Sequence, residues 1–399
     1  MKATVISVLV LTLLLIAWFW PVQKEAQSVI IVADLSSQLA ERDRHLARDL
    51  PVWLNEAAAQ AHQRLNILFL DSHQPAGKLV EQLETHLASG VHIVMGCGDS
   101  ACVRTLIPAL ERHKAVLLYP ASSEGLIDSD QVVHLGPVAS QYLFPSISWI
   151  RHNLGRNIMF IGSESARSHM LARLISGQLN ADKQLSLIDR EFMRDSSEIS
   201  SIIDKAKYYK SDVIVFDACE WIAVPGFISG LESSGASVFS LCIDQRPADD
   251  SSLYYVSGYY DNRHNPENVR LKSLLGELNP VRINSYWMAQ LWQQALDSDH
   301  LNSSRQWKEH LRSSNALIAS GPAQIDQHLE GTWRPVYIIK KSSDRLTDGE
   351  VLMWMSDQPL RPVMFPGLEA PSDWLHFLTI YWRNAGGEWR SAITGASSS

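Results

Sequence analysis

Residues 91–108 read VHIVMGCGDSACVRTLIP, which is a short apolar run, a turn of small residues and a second run with apolar side chains at helical spacing. The first run is apolar and β-branched, as is typical of a buried parallel strand. Ser100 stands where the residue that caps a helix N-terminus is expected. Backbone N–H groups and a hydroxyl would then lie at the carboxyl edge of a sheet, where open α/β folds bind small ligands. From these residues alone, the turn either forms such a site or only connects a strand to a helix.

The same strand, turn and helix pattern recurs on both sides of this stretch. On the N-terminal side and shortly after it, strands are predicted at Ser28–Ala33, Leu65–Leu70, Ala115–Tyr119 and Val132–Leu135. One helix is predicted over Gln38–Ala61, with a kink at Pro51. After Pro137 the alternation restarts, with further strands at Asn157–Ile161, Val213–Phe216 and Val238–Leu241. Repeated βα units predict two parallel sheets with right-handed crossovers, facing each other across a cleft.

The last part of the chain changes character. Helices are predicted over Asn265–Leu278, Ile283–Ser298 and Ser304–Leu311, followed by strands at Val336–Lys340 and Val351–Met355. No linker rich in Pro, Gly or Ser separates the two βα sets. This indicates lobes joined by several crossing segments and not independent domains in a row.

The N-terminus is basic and then strongly apolar. Lys2 precedes the apolar run from Ala3 to Trp20, which is close to the length of a membrane span. The run reads as an uncleaved membrane anchor at residues 3–20 or as a cleaved export signal, with a buried helix as a further alternative. Either of the first two places the bulk of the protein outside the cytoplasm, in the periplasm or an equivalent compartment.

Composition excludes several classes of protein. The net charge of −8 and the lack of any Lys/Arg cluster argue against a nucleic-acid partner. Four cysteines are too few for a disulfide scaffold, and their spacing suggests no metal site. Cys97 and Cys102 flank the central turn, while Cys219 and Cys242 each follow an apolar run. They are either small buried thiols or, for the second pair, a bridge between neighbouring strands.

Several motifs together resemble a known family. They are Gly96-Cys97-x-x-Ser100, Leu118-Tyr119-Pro120-x-x-x-Glu124-Gly125, Gly136-Pro137, Phe160-Ile161-Gly162-Ser163 and Met355-Ser356-x-x-Pro359-Leu360-x-Pro362. The chain from Ser28 to Trp374 is similar to the type I periplasmic binding proteins, in the branch of amide sensors and urea or short-chain amide receptors. The resemblance implies an α/β fold of two lobes, each a mostly parallel sheet flanked by helices, with three interlobe crossovers.

The resemblance also implies a division of the chain. Residues 1–27 would be the signal or anchor. The first lobe would hold 28–137 and 265–318, and the second lobe 138–264 and 319–374. Residues 375–399 would be a C-terminal extension with a disordered end, and its apolar part, His376–Trp382, would pack on the second lobe.

The family's ligand-contacting serine and tyrosine map onto Ser100 and Tyr119. Other candidates follow strand ends that face the cleft: Ser122, Ser163, Ser165, Arg167, Asp217 and Asp244. Where the family branch tends to place an aromatic side chain, this chain has Arg167. A guanidinium pairs best with a planar anion, so we expect a ligand with a carboxylate that Arg167 binds. The alternative is that Arg167 faces solvent or pairs with Glu164.

These features predict an exported, non-enzymatic solute-binding protein without cofactor or metal. It would close over a small polar molecule, which is an amide, a urea-like compound or a carboxylate, and deliver it to an ABC permease. One alternative is a membrane-tethered sensing or regulatory subunit that signals to a membrane sensor protein. Another is a small-amide hydrolase using Ser100, although no histidine stands in a motif that would make it the base. The identity of the ligand does not follow from the sequence.

Overall fold

The structure of the protein, a computed structural model, covers most of the chain. It describes residues 26–389 except 37–39, 182–184, 223, 225, 248–251, 297–305, 307–308, 312, 327, 343–348, 366–370, 385–386 and 388. The predicted anchor at residues 3–20 and the predicted disordered end of the chain therefore lie outside the described residues, as does half of the predicted helix Ser304–Leu311, whose described residues are helical. Within the described ranges, no helix combines the length and apolarity needed to cross a membrane.

The first sheet is entirely parallel and has the strand order β2-β1-β3-β4-β5. Its strands are β1 (Gln27–Ala33), β2 (Leu65–Asp71), β3 (Ile93–Gly96), β4 (Val116–Tyr119) and β5 (Val132–His134). Alternate residues of β1 pack on opposite faces: Val29 and Ile31 belong to one buried cluster, and Ile30 and Val32 to another. Because helices cover both faces, the strands are continuously apolar, as in other parallel sheets.

Four helices follow these first strands: α1 (Ala40–Arg48), α2 (Leu50–Gln60), α3 (Ala76–Ala88) and α4 (Ser100–His113). The single helix predicted over Gln38–Ala61 is two helices, separated at Asp49. Pro51 lies in the first turn of α2, where its missing N–H costs no hydrogen bond. The proline therefore starts a new helix where a kink in one helix was expected.

The second sheet has the order β15-β14-β10-β9-β8-β6-β7. Its parallel strands are β6 (Asn157–Ser163), β7 (Ser186–Met193), β8 (Val213–Asp217), β9 (Ser237–Ser240) and β10 (Leu253–Ser257). The late hairpin β14 (Tyr337–Lys341) and β15 (Glu350–Met355) adds two antiparallel strands at one edge. The helices around this sheet are α5 (Ala139–Asn153), α6 (Ala166–Ala181), α7 (Ile199–Tyr209) and α8 (Phe227–Glu232).

Among the described residues, the chain passes between the lobes three times, as expected. Leu135 packs in the first lobe and Ala139 in the second, Val256 in the second and Tyr259 in the first, and Ile325 in the first and Val336 in the second. Helices α9 (Pro266–Leu275) and α10 (Pro280–Leu296), and the antiparallel strands β11 (Asn315–Ile318), β12 (Gly321–Ile325) and β13 (Thr332–Trp333), lie between the last two crossings. Because Ala323 and Ile325 pack in the first-lobe core, that lobe extends past the predicted boundary at 318.

Buried polar side chains tie the crossing segments together. The Arg334 guanidinium donates to the Leu135 carbonyl oxygen at 2.6 Å and to Asn284 Oδ1 at 2.9 Å. Gln141 Nε2 donates to the Thr332 carbonyl oxygen at 2.7 Å. The structure thus confirms the predicted two-lobed α/β fold, with each lobe a mostly parallel sheet flanked by helices.

Candidate functional site

The carboxyl edges of the two sheets face each other across a cavity of about 140 Å³. This is close to the roughly 150 Å³ of a cavity that admits one benzene ring. The first lobe lines it with residues after four of its strands, and the second lobe with residues after β6, β8 and β9. Of the sequence candidates, the cavity is lined by Ser100, Ser122, Ser163, Ser165, Arg167, Asp217 and Asp244.

The conformation of the central turn depends on a glycine with a positive φ and on a side chain that caps the following helix. Gly96 has a φ of +125°, and a Cβ there would collide with the Val32 carbonyl oxygen, so only glycine fits. Asp99, and not Ser100 as predicted, is the N-cap of α4: its carboxylate accepts from the Cys102 amide at 2.8 Å. The carboxylate at this position satisfies an end N–H of the helix and suits its positive pole. Ser100 is the first helical residue and lines the cavity.

Both cysteine pairs are disulfides, which resolves the two alternatives left by the sequence. Cys97–Cys102 closes the central turn, and Cys219–Cys242 joins the segments that follow β8 and β9. The neighbouring β8 and β9 bring the second pair within reach. Each lobe therefore has a covalent link at its edge of the cleft.

Arg167 lies at the start of α6 and binds residues of both lobes. Its Nε donates to both Asp217 oxygens, at 3.2 and 3.3 Å. Its Nη1 donates to Ser122 Oγ of the first lobe at 2.8 Å, and its Nη2 donates to the Tyr142 hydroxyl at 3.0 Å. Burial lowers the pKa of the guanidinium, but Asp217 together with Tyr142, Asp244 and Tyr119 outweighs this and holds the pKa above its usual value.

This arrangement changes the expected role of Arg167. Its charge is balanced by Asp217, and its N–H groups are occupied within the protein. Glu164, the alternative partner, instead pairs with His169 at 2.6 Å. Arg167 therefore holds the two lobes together at the cavity wall, in contrast to the expected main contact for an anion.

Polar atoms of cavity-lining residues without a hydrogen-bond partner among the described residues include Asp244 Oδ1, Ser163 Oγ and Arg104 Nη1. The other Asp244 oxygen accepts from the Ser122 amide across the cleft at 2.7 Å, and the other Arg104 nitrogen, Nη2, donates to Glu124. A buried polar atom without a partner is costly. The second lobe thus presents a carboxylate oxygen as an acceptor, and the first lobe presents an N–H donor of a guanidinium whose charge is paired with Glu124.

Tyr119 does not line the cavity, contrary to its expected role. Its ring is fully buried in the first-lobe core and stacks on His134, with ring centroids 4.7 Å apart. Its hydroxyl donates to the Ser122 carbonyl oxygen at 2.6 Å. Burial, reinforced by Asp99, raises the pKa of this hydroxyl well above its usual value, so it remains a donor. Tyr119 supports the Ser122 turn from behind.

Several lining residues were missed by sequence reasoning: Asp34, Ser72, His73, Arg104, Gln245 and Trp389. Asp34 and Ser72 follow β1 and β2, so the same sheet-edge rule applies to them. Arg104 lies one helical turn after Ser100, on the same face of α4. Trp389 belongs to the C-terminal extension, and nothing in its local sequence signals a place in the cleft.

Comparison with known proteins supports the same fold. Residues 34–222 match the model of the periplasmic binding protein domain family. An ABC-transporter solute-binding protein from R. palustris, solved with 4-hydroxybenzoate, is 13% identical with a TM-score of 0.72. The match covers 84% of this chain and 98% of that one.

Two amino-acid-binding proteins have the same fold. The leucine-, isoleucine-, valine-, threonine- and alanine-binding protein from Brucella ovis, in a closed conformation, is 12% identical with a TM-score of 0.71, over 85% of this chain and 97% of that one. The branched-chain amino acid transporter substrate-binding protein LivJ from Streptococcus pneumoniae, with isoleucine, is 12% identical with a TM-score of 0.66, over 85% of this chain and 100% of that one.

Proposed function

We propose that this chain, which has the two-lobed type I periplasmic binding protein fold, is an extracytoplasmic solute-binding protein that delivers a small polar molecule to an ABC permease. The observation that carries the proposal is the cavity between the lobes, because both of its walls present polar atoms with no partner in the described part of the chain. A molecule that satisfies these atoms would stabilise the closed arrangement of the lobes. Hinge closure of this kind is the usual transition of two-lobed binding proteins.

The chemistry of the cavity favours a ligand with two different ends. Asp244 Oδ1 would accept from an ammonium or another N–H donor, and Arg104 Nη1 would donate to a carboxylate. The N-termini of α4 and α6 open into the same cavity and favour the anionic end. An amino acid is the simplest molecule with both groups. Amides and urea, the ligands implied by the resembled branch, would satisfy Asp244 but offer no carboxylate to Arg104.

The ligands of the structural neighbours fit this class. LivJ is in complex with isoleucine and the R. palustris protein with 4-hydroxybenzoate, and each of these compounds carries a carboxylate. The cavity volume of about 140 Å³ suits molecules of that size. Although Glu124 balances its charge, Arg104 keeps one nitrogen, Nη1, without a partner among the described residues, and this group would bind the anionic end that the sequence had suggested for Arg167.

A thermal-shift panel tests the proposal directly. The full chain is melted with each proteinogenic L-amino acid, 4-hydroxybenzoate, acetamide and urea. A ligand at one hundred times its dissociation constant adds about 2.7 kcal/mol to the free energy of unfolding. We expect stabilisation by one or more amino acids. If acetamide or urea alone stabilises the protein, the two-ended ligand is wrong, and if nothing does, the binding function is contradicted.

Uptake measurements then separate delivery from sensing. Cells with and without the gene are given the radiolabelled compound that stabilised the protein. We expect uptake to fall when the gene is removed. Unchanged uptake together with clear binding would contradict delivery to a permease and favour the membrane-tethered sensing subunit.

A further inference from the structure

The C-terminal extension begins with a helix that is attached to the second lobe. This helix, α11 (Pro371–Asn384), packs on α6. The Arg173 guanidinium lies over the Phe377 ring at 5.7 Å, and the Tyr381 ring lies 5.6 Å from the ring of His169. The Tyr381 hydroxyl also donates to the Glu164 carbonyl oxygen at 3.3 Å. These contacts are all with the second lobe.

Beyond α11 the described residues reach the other lobe. Gly387 has a φ of +85°, and its amide donates to the Trp382 carbonyl oxygen at 2.8 Å. The Trp389 ring then lies 6.3 Å from the Trp382 ring and 5.6 Å from the Arg104 guanidinium carbon. Arg104 belongs to α4 of the first lobe, and Trp389 itself lines the cavity. A single indole thus bridges the two walls of the cleft.

We propose that Trp389 is a strap that holds the lobes closed over the cavity. Because α11 is attached to the second lobe and Arg104 to the first, opening the cleft must separate the indole from the guanidinium. A guanidinium over a tryptophan face is the most favourable pairing of its kind, and more so where water is excluded. Arg104 is 7% exposed, and burial lowers its pKa to about 10 although Glu330 opposes the shift. The indole face therefore covers a cation that is poorly hydrated.

The effect of this strap on ligand entry and release rests on the proposed function. The effect of the strap on closure of the lobes is independent of that function, and it can be measured in protein without ligand. Nitroxide labels are placed at Glu56→Cys on α2 and Lys207→Cys on α7, which are exposed positions on different lobes. Pulsed electron-paramagnetic-resonance distances in the full chain then report the open and closed populations.

The variants are Trp389→Ala, Trp389→Phe and the control Ile380→Ala. The ratio of open to closed protein should rise roughly two- to thirty-fold in Trp389→Ala. Trp389→Phe keeps an aromatic face and should lie between this variant and the wild type. Ile380 is 44% exposed on the same helix, so its replacement should leave the ratio unchanged. Thermal melts confirm that each variant is folded.

The proposed strap is contradicted if Trp389→Ala has the same distance distribution as the wild type. It is also contradicted by a wild-type protein that is already open without ligand, or by a control variant that opens as far as Trp389→Ala. Because the experiment contains no ligand, none of these results bears on whether the cavity binds one. Conversely, a negative thermal-shift panel would leave an observed opening in Trp389→Ala intact.

Discussion

Asp217 and Asp244 are two carboxylates that line one cavity. Neutralising Asp217 should mainly lower the stability of the fold, whereas neutralising Asp244 should mainly weaken ligand binding. Asp217 is 2% exposed and accepts from Arg167 and, at 2.9 Å, from Ser168 Oγ. Burial raises the pKa of its carboxyl, and the Arg167 charge opposes that shift. Asp244 accepts from the Ser122 amide with one oxygen, while its other oxygen has no partner among the described residues. We therefore expect Asp217 to stabilise the fold and Asp244 to bind the ligand.

Asp217→Asn leaves the Arg167 guanidinium, whose side chain is 18% exposed, without its main counter-charge. Breaking a buried ion pair in this way costs about 3–5 kcal/mol of unfolding free energy. Asp244→Asn keeps an oxygen for the Ser122 amide and removes a charge that Arg167 and Arg334 attract from nearby. Its unfolding free energy should therefore change less than that of Asp217→Asn, because the lost attraction is offset by relief of the buried oxygen that has no partner among the described residues.

The affinity for the ligand should distinguish the two variants in a different way from the stability. If Asp244 holds the donor end of the ligand, Asp244→Asn should weaken binding by about 2–5 kcal/mol, which is roughly thirty-fold to several thousand-fold. Chemical denaturation without ligand gives the two stabilities, and calorimetry with the compound found in the thermal-shift panel gives the affinities. The reasoning is refuted if Asp244→Asn is destabilised as much as Asp217→Asn, or if it binds within twofold of the wild type.

Three further predictions concern stability. Replacing both Cys219 and Cys242 by serine opens a link that spans 23 residues, and should lower the unfolding free energy by about 3 kcal/mol in urea titrations; a loss below 0.5 kcal/mol would contradict it. Gly96→Ala should prevent folding to the native state, seen as lost near-ultraviolet circular dichroism, because its Cβ would meet the Val32 carbonyl oxygen. Asp326 is buried, which raises its pKa, but backbone and indole N–H donors and an arginine outweigh this and hold the pKa below its usual value. Its stabilisation is therefore present above the unfolded pKa and lost as pH falls below it, so Asp326→Asn should cost about 1–3 kcal/mol at pH 7 and progressively less towards pH 3.

Much of the fold was accessible from the sequence because its signals are local. Strand positions follow from short apolar runs, and the two-lobed arrangement follows from the restart of the βα alternation after Pro137. The sheet-edge rule placed seven of the eight candidate residues at the cavity, since parallel strands end at a common edge. The predicted N-cap, Ser100, was wrong by only one position, because the N-cap is Asp99.

What only the tertiary structure decided is which groups pair with which. The sequence placed Arg167 and Asp217 at the cleft, but their mutual neutralisation depends on the distance between two strand ends. Tyr119 turns into the core because His134 and the Ser122 carbonyl lie behind it, and Trp389 reaches Arg104 only because α11 packs on α6. Periodicity and turn chemistry act over a few residues and are written in the local sequence, whereas charge pairing and side-chain direction depend on contacts between residues far apart in the chain.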